Sequence, residues 1–162
     1  METLLKNSKH ICSEKLGRMI VAKLDTGVDV VEGIEALCDE YRVNAGIIVC
    51  CFGSIGKAGF EYLAVNESST LGANRSDPVY MEGPFQLLGG QGTISVEEET
   101  GKRKVHIHAM VSNHIAHIFG GHLLPGKNPV LRTCEVAIQE LQDIKMLNRF
   151  NPKTQSKQLV FE

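Results

Sequence analysis

Five of the chain's six histidines fall between Lys104 and Leu124, in the stretch Lys-Val-His-Ile-His-Ala-Met-Val-Ser-Asn-His-Ile-Ala-His-Ile-Phe-Gly-Gly-His-Leu-Leu. Imidazole is a frequent ligand of zinc and related divalent metals, so spacing decides what such a cluster can do. From Val105 to Ser112, apolar Val105, Ile107, Ala109 and Val111 alternate with His106, His108, Met110 and Ser112. That period of two predicts a β-strand with His106 and His108 on one face, close enough to share a ligand. His122 follows Gly120 and Gly121, which let a backbone turn sharply and approach closely, and it is the third imidazole to expect there. Three protein ligands leave an open coordination position for water or a substrate oxygen. The alternative reading is a semi-polar sheet face whose imidazoles pair with carboxylates or carbonyls. His114 and His117 lie between the sets, after Ser112-Asn113, and read as exposed loop residues.

Other residues offer less. Ser54, after Gly53, presents a hydroxyl or backbone amides to an anion but lacks the pattern of a nucleophile elbow, so a tight structural turn is the competing reading. Glu135, beside Cys134, is a candidate acid or base near the metal, set against a charged residue on the outer face of a strand. Arg132 and Lys127 are candidates to receive a carboxylate. Gly89 to Gly92 carries no phosphate-loop lysine and no helix follows it, which excludes nucleotide binding of the P-loop kind.

These residues need elements to position them. After a polar start, Met19 to Leu24 reads as a strand ending in the turn Asp25-Thr-Gly27. Asp29, with Glu32 three residues on, predicts a capping box and a helix whose apolar positions are Val30, Ile34, Leu37, Cys38 and Tyr41. Asn44 to Gly46 should end it. Ala45 to Cys51 predicts a strand buried on both sides, broken at Phe52 to Gly56, with a second strand over Lys57 to Val65. Asn66 to Pro78 reads as a mobile surface loop. Val79 to Val96 is strand-like and Glu97 to Gly101 a turn before the histidine strand; Pro125 to Pro129 is a loop and Leu131 to Leu141 a core strand. Gln158 to Phe161 could add an edge strand. Many strands and one clear helix predict an α+β domain built mostly on an antiparallel sheet.

With 162 residues, 43% hydrophobic and 22% charged, the chain is the size of one domain with its own core. A formal net charge of −2 gives no attraction for a phosphate backbone, so direct nucleic-acid binding starts at a disadvantage. Cys12, Cys38, Cys50, Cys51 and Cys134 are odd in number and lack Cys-x-x-Cys spacing, which reads as reduced, buried thiols of a cytoplasmic protein. Met1 to Lys15 has no signal-peptide core, and no apolar run is long enough to span a membrane.

Taken in order, Phe52-Gly-Ser54, Gly83-Pro-Phe-Gln-Leu-Leu88, Gly92-Thr-Ile-Ser95, His106-Ile-His108, Gly120-Gly-His-Leu123 and Thr133-Cys-Glu-Val136 resemble the plants-and-prokaryotes conserved domain, the PPC or PCC domain, over Gly17 to Leu141. The resemblance implies an antiparallel sheet of about seven strands with flanking helices, assembled as a homotrimer. It also implies a metal held by His106, His108 and His122; the three-histidine set itself suggests zinc, with a small-molecule site between subunits of the trimer. In plants the domain is attached to AT-hook DNA-binding proteins. This chain has no Arg-Gly-Arg-Pro hook, and Phe85-Gln-Leu-Leu88 stands where the family has Phe-Glu-Ile-Leu. A regulatory or scaffolding module associated with DNA or DNA-bound partners is the other function the resemblance suggests.

Overall fold

The computed structural model describes residues 10–69 and 71–162. The polar opening of the chain lies outside the described residues up to residue 9, as does residue 70 of the expected loop. Leu16–Asp25 forms β1, and the following turn hands the chain to helix α1, Val30–Tyr41. Asp29 caps the helix as its type predicts. One carboxylate oxygen accepts from the backbone N–H of Val31 at 3.0 Å and Glu32 at 3.1 Å, and the other from Asn128 at 2.6 Å. Glu32 turns toward Gly126 rather than back to the cap. The helix stops before the expected Asn44 to Gly46, because Arg42 takes the left-handed conformation at φ 57° and the Val43 N–H returns to the Cys38 carbonyl at 2.8 Å. Tyr41, expected on the buried face, is exposed.

Gly46–Glu61 is one strand, β2, where the sequence predicts a break. The glycines that suggested the break serve close strand packing instead: a Cβ on Gly53 would lie 2.2 Å from the Thr133 carbonyl oxygen. Irregular register near Gly53 and Ile55 bends the strand without ending it. The expected mobile loop also holds structure, since β3, Leu63–Val65, pairs with β4, Ala73–Arg75. Val79–Glu97 is β5, Arg103–Ser112 is β6, Ile118–Leu123 is β7 and Val130–Leu141 is β8. The tail supplies two strands rather than one, β9 (Met146–Asn151) and β10 (Ser156–Phe161), joined as a hairpin.

The main sheet has eight strands in the order β1-β8-β2-β7-β6-β5-β9-β10, with β2 also paired to β5. It exceeds the expected seven because the tail hairpin extends it, and it is mixed because β9 joins β5 in parallel. The expected flanking helices reduce to α1 among the described residues. Directly opposed residues share a sheet face. Ile20, Ile138, Ile48, Gly92 and Ile107 are opposed in turn across β1, β8, β2, β5 and β6, and the isoleucines are buried with α1 in the core. The neighbouring row, Met19, Gln139, Ile47, Thr93 and His106, lies on the other face. The alternation that buries Ile107 therefore places His106 and His108 outward.

Candidate metal centre

β6 carries His106 and His108, and β7 brings His122 directly opposite His108. Ring centroids are 4.9 Å apart for His106 and His108, 4.6 Å for His106 and His122, and 5.4 Å for His108 and His122. One nitrogen from each ring lies within 4.8 Å of the others. The return from β6 to β7 is made at Asn113, whose side-chain oxygen accepts from the backbone N–H of Ile115 and His117, with Ala116 at φ 62°. Gly120 and Gly121, expected to form the hinge, lie within extended β7. Their role is close approach: a Cβ on Gly120 would stand 2.1 Å from the Ala109 carbonyl oxygen.

Burial lowers the His122 pKa to about 4, helped by His106, Arg75, His108 and Lys104. His106 is lowered in the same direction, by burial first and then by His108, Arg75 and Lys104. Both rings are therefore neutral near pH 7, the form that offers a lone pair to a metal. The Nδ1 atom of His122 is buried with no hydrogen-bond partner among the described residues. An imidazole orientated by pairing to a carboxylate or carbonyl would not leave that atom orphaned, so the donor set fits a divalent cation better than a merely polar sheet face.

Two cavities meet at the imidazoles. One, of about 400 Å³, is lined by Tyr62 and Leu63, with Arg75 and all three histidines. The other, of about 690 Å³, runs from Arg75, His106 and His122 along Thr93 and Lys104 to the tail hairpin. Arg75 belongs to both, and its Nη1 donates to Glu61 Oε2 at 2.7 Å. Nothing in the sequence marks Arg75, because a lone arginine in a Ser- and Asn-rich loop carries no periodic signal. Pairing of Leu63 with Arg75 across β3 and β4 is what delivers it.

Residues 12–142 match the Plants and Prokaryotes Conserved (PCC) domain. The chain belongs to the PCC domain family. No curated protein matches it in sequence. Solved structures share the PCC fold. A metal-containing protein from Archaeoglobus fulgidus is 22% identical, with a TM-score of 0.75, over 93% of this chain and 99% of that one. A hypothetical protein from Salmonella is 23% identical, with a TM-score of 0.76, over 95% and 98%. A Bacteroides thetaiotaomicron protein, provisionally described as DNA-binding, is 17% identical, with a TM-score of 0.72, over 93% and 96%.

Within this PCC fold the other sequence candidates are dispersed. Ser54 accepts from the Arg132 backbone N–H at 3.1 Å and lines, with Arg132 and His114, a separate cavity of about 570 Å³. Glu135 is opposed to Lys23 and Phe52 on β1 and β2, outside both histidine cavities. Lys127 sits 5.7 Å from the Tyr80 ring centroid. His114 and His117 are exposed, as expected of loop residues. Cys38, Cys51 and Cys134 are buried free thiols, whereas Cys12 is exposed rather than buried. No described helix is long and apolar enough to cross a membrane.

Proposed function

We propose that this PCC protein holds a divalent metal ion, zinc, through His106, His108 and His122, and that the site binds or processes a small molecule in a cytoplasmic homotrimer. The observation that carries this reading is the convergence of three imidazole nitrogens within 4.8 Å of one another on one sheet face. The metal-containing description of the Archaeoglobus relative points the same way. A bound zinc with an open position polarises a carbonyl or lowers the pKa of its water. Glu135 and Ser54 lie outside the two histidine cavities, so the imidazoles, with Arg75 among the side chains around them, are nearer a ligand there than either carboxylate or hydroxyl candidate. The trimer rests on the exposed apolar side chains Met19, Val21, Ile47, Val49 and Phe52 of β1 and β2, a patch of the kind that marks an interface.

Metal analysis of untagged protein purified without added metal tests the site: about one zinc per chain is expected, falling to background in His106→Ala and His122→Ala. An empty wild-type protein would sink the reading. Light scattering should give the mass of three chains, and a monomer at micromolar concentration would refute the trimer.

The DNA-binding description of the Bacteroides relative favours a second reading, a regulatory or scaffolding module associated with DNA or DNA-bound partners. The net charge of −2 and the missing hook weigh against direct duplex contact. A sequence-specific mobility shift at physiological salt would reverse the ranking.

A further inference from the structure

The larger cavity beside the histidines has features that metal binding does not use. Its floor is the outward face of β5 and β6, through Thr93, Ser95 and Lys104, and its far wall is the β9–β10 hairpin, through Asn148, Lys157 and Gln158. This hairpin follows residue 142, where the match to the PCC domain ends. One buried polar atom on these walls is unserved, and one hydroxyl beside it is free to meet a ligand. Asn148 Oδ1 is fully buried and has no hydrogen-bond partner among the described residues. Ser95, 3% exposed, lines the same cavity with its hydroxyl turned to the face that carries Thr93 and His106. Asn128, the other buried polar residue, instead uses both its oxygen and its nitrogen. Folding rarely leaves such groups unpaired, because a polar atom stripped of water without a partner is costly.

The charged lining is biased toward one sign. Lys157 is occupied by Glu97, the cavity's acid, and by Glu99. Among the described residues Arg75 uses only Nη1, on Glu61, out of its five donors. Lys104 makes no close ion pair among the described residues: Glu35 stands 3.9 Å away, and Glu97 is engaged by Lys157. Two under-engaged cations thus stand on the rim next to His106 and His122, while an unpaired acceptor and a hydroxyl wait deeper in.

Resting on the metal reading of the same imidazoles, we infer that this cavity binds the ligand of the site, a small oxyanion that also carries a hydroxyl group. Arg75 and Lys104 hold the anionic group beside the histidines, and Ser95 and Asn148 Oδ1 take the hydroxyl. Carboxylates and phosphate esters share this chemistry, and two probes separate them.

The experiment is calorimetric titration of the full chain, zinc-loaded and metal-stripped, with lactate, glycerol 3-phosphate and, as the anion lacking a hydroxyl, acetate. Zinc content is measured on the same samples. Lactate or glycerol 3-phosphate should bind at least fivefold tighter than acetate, and the tighter of the two names the class. Arg75→Gln should weaken that binding about tenfold, the loss expected for one charge-assisted contact. Ser95→Ala should erase the preference over acetate with zinc content unchanged. Lys104→Gln, on the exposed rim, gives a second variant if Arg75→Gln disturbs the β3–β4 hairpin. Normal zinc uptake with neither hydroxylated anion bound overturns this inference alone. Anion binding sensitive to Arg75 and Ser95 in protein that never takes up zinc upholds it and removes the metal reading. Binding unaffected by all three substitutions overturns it as well.

Discussion

Replacing Gly120 by alanine tests the idea that close contact between β6 and β7 sets the distance between the imidazoles. A Cβ there would lie 2.1 Å from the Ala109 carbonyl oxygen, and the obstructing atom is backbone, which cannot rotate away as a side chain would. Restoring ordinary contact requires about 1 Å of extra separation between the strands. An inter-strand hydrogen bond lengthened by that amount passes beyond the useful range of about 3.2 Å. The opposed pairs Ala109–Gly121 and Met110–Gly120 adjoin the clash, so about two bonds and part of the local packing are lost. At about 1 kcal/mol per bond, with packing added, destabilisation should be about 2–4 kcal/mol, or roughly 5–15 °C in Tm for a domain of this size. His122, two residues further on, moves with the strand, and metal sites tolerate displacements of only about 0.2 Å, so zinc affinity should fall at least tenfold. Urea unfolding and zinc titration of the same sample measure both. Gly89→Ala is the control, since a Cβ there meets nothing within 4 Å, and it should change neither. Wild-type stability and zinc affinity in Gly120→Ala would refute the account of how these strands place the ligands.

Further expectations follow from residues away from the site. Asn128→Ala should lower stability by about 2–4 kcal/mol in urea unfolding, because it leaves the Gly59 N–H, now bonded at 2.9 Å, and the Leu124 carbonyl, at 2.6 Å, without their side-chain partner. Asp29→Ala should cost about 1–2 kcal/mol, since its carboxylate serves two helical N–H groups and also Asn128. The Arg18 hydrogen bond holds the Glu140 carboxyl below its ordinary value of 4.5. A lowered folded-state pKa contributes stability that is present above 4.5 and lost as pH falls through the folded value. Thermal unfolding of Arg18→Gln should therefore decline less steeply with acidification below pH 4.5 than wild type, and parallel curves would refute the pairing.

Local pattern carried much of this protein in its sequence. The two-residue period over Val105 to Ser112 sufficed to put His106 and His108 on one face, since burying Ile107 and Val111 leaves the intervening side chains no other direction. Asp29 announced its helix because capping needs only the next three residues. Where the outcome depended on distant partners, local signals misled. Gly53 looked like an interruption and Gly120 like a hinge, yet each is demanded by a carbonyl on a neighbouring strand, Thr133 in one case and Ala109 in the other. Arg75 reached the histidines through the pairing of β3 with β4, and Asn148 and Lys157 through the tail hairpin laid against β5. Register separated Ser54 from the site, since it lies opposite Gln86 and so level with Ser112, and strand order set Glu135 on β8 beyond β2; no spacing along the chain records either. The sequence by itself determined the imidazole pair and its face. Tertiary structure decided which third imidazole meets them, which cations surround them, and what shape is left for a ligand, because those depend on contacts between segments far apart in the chain.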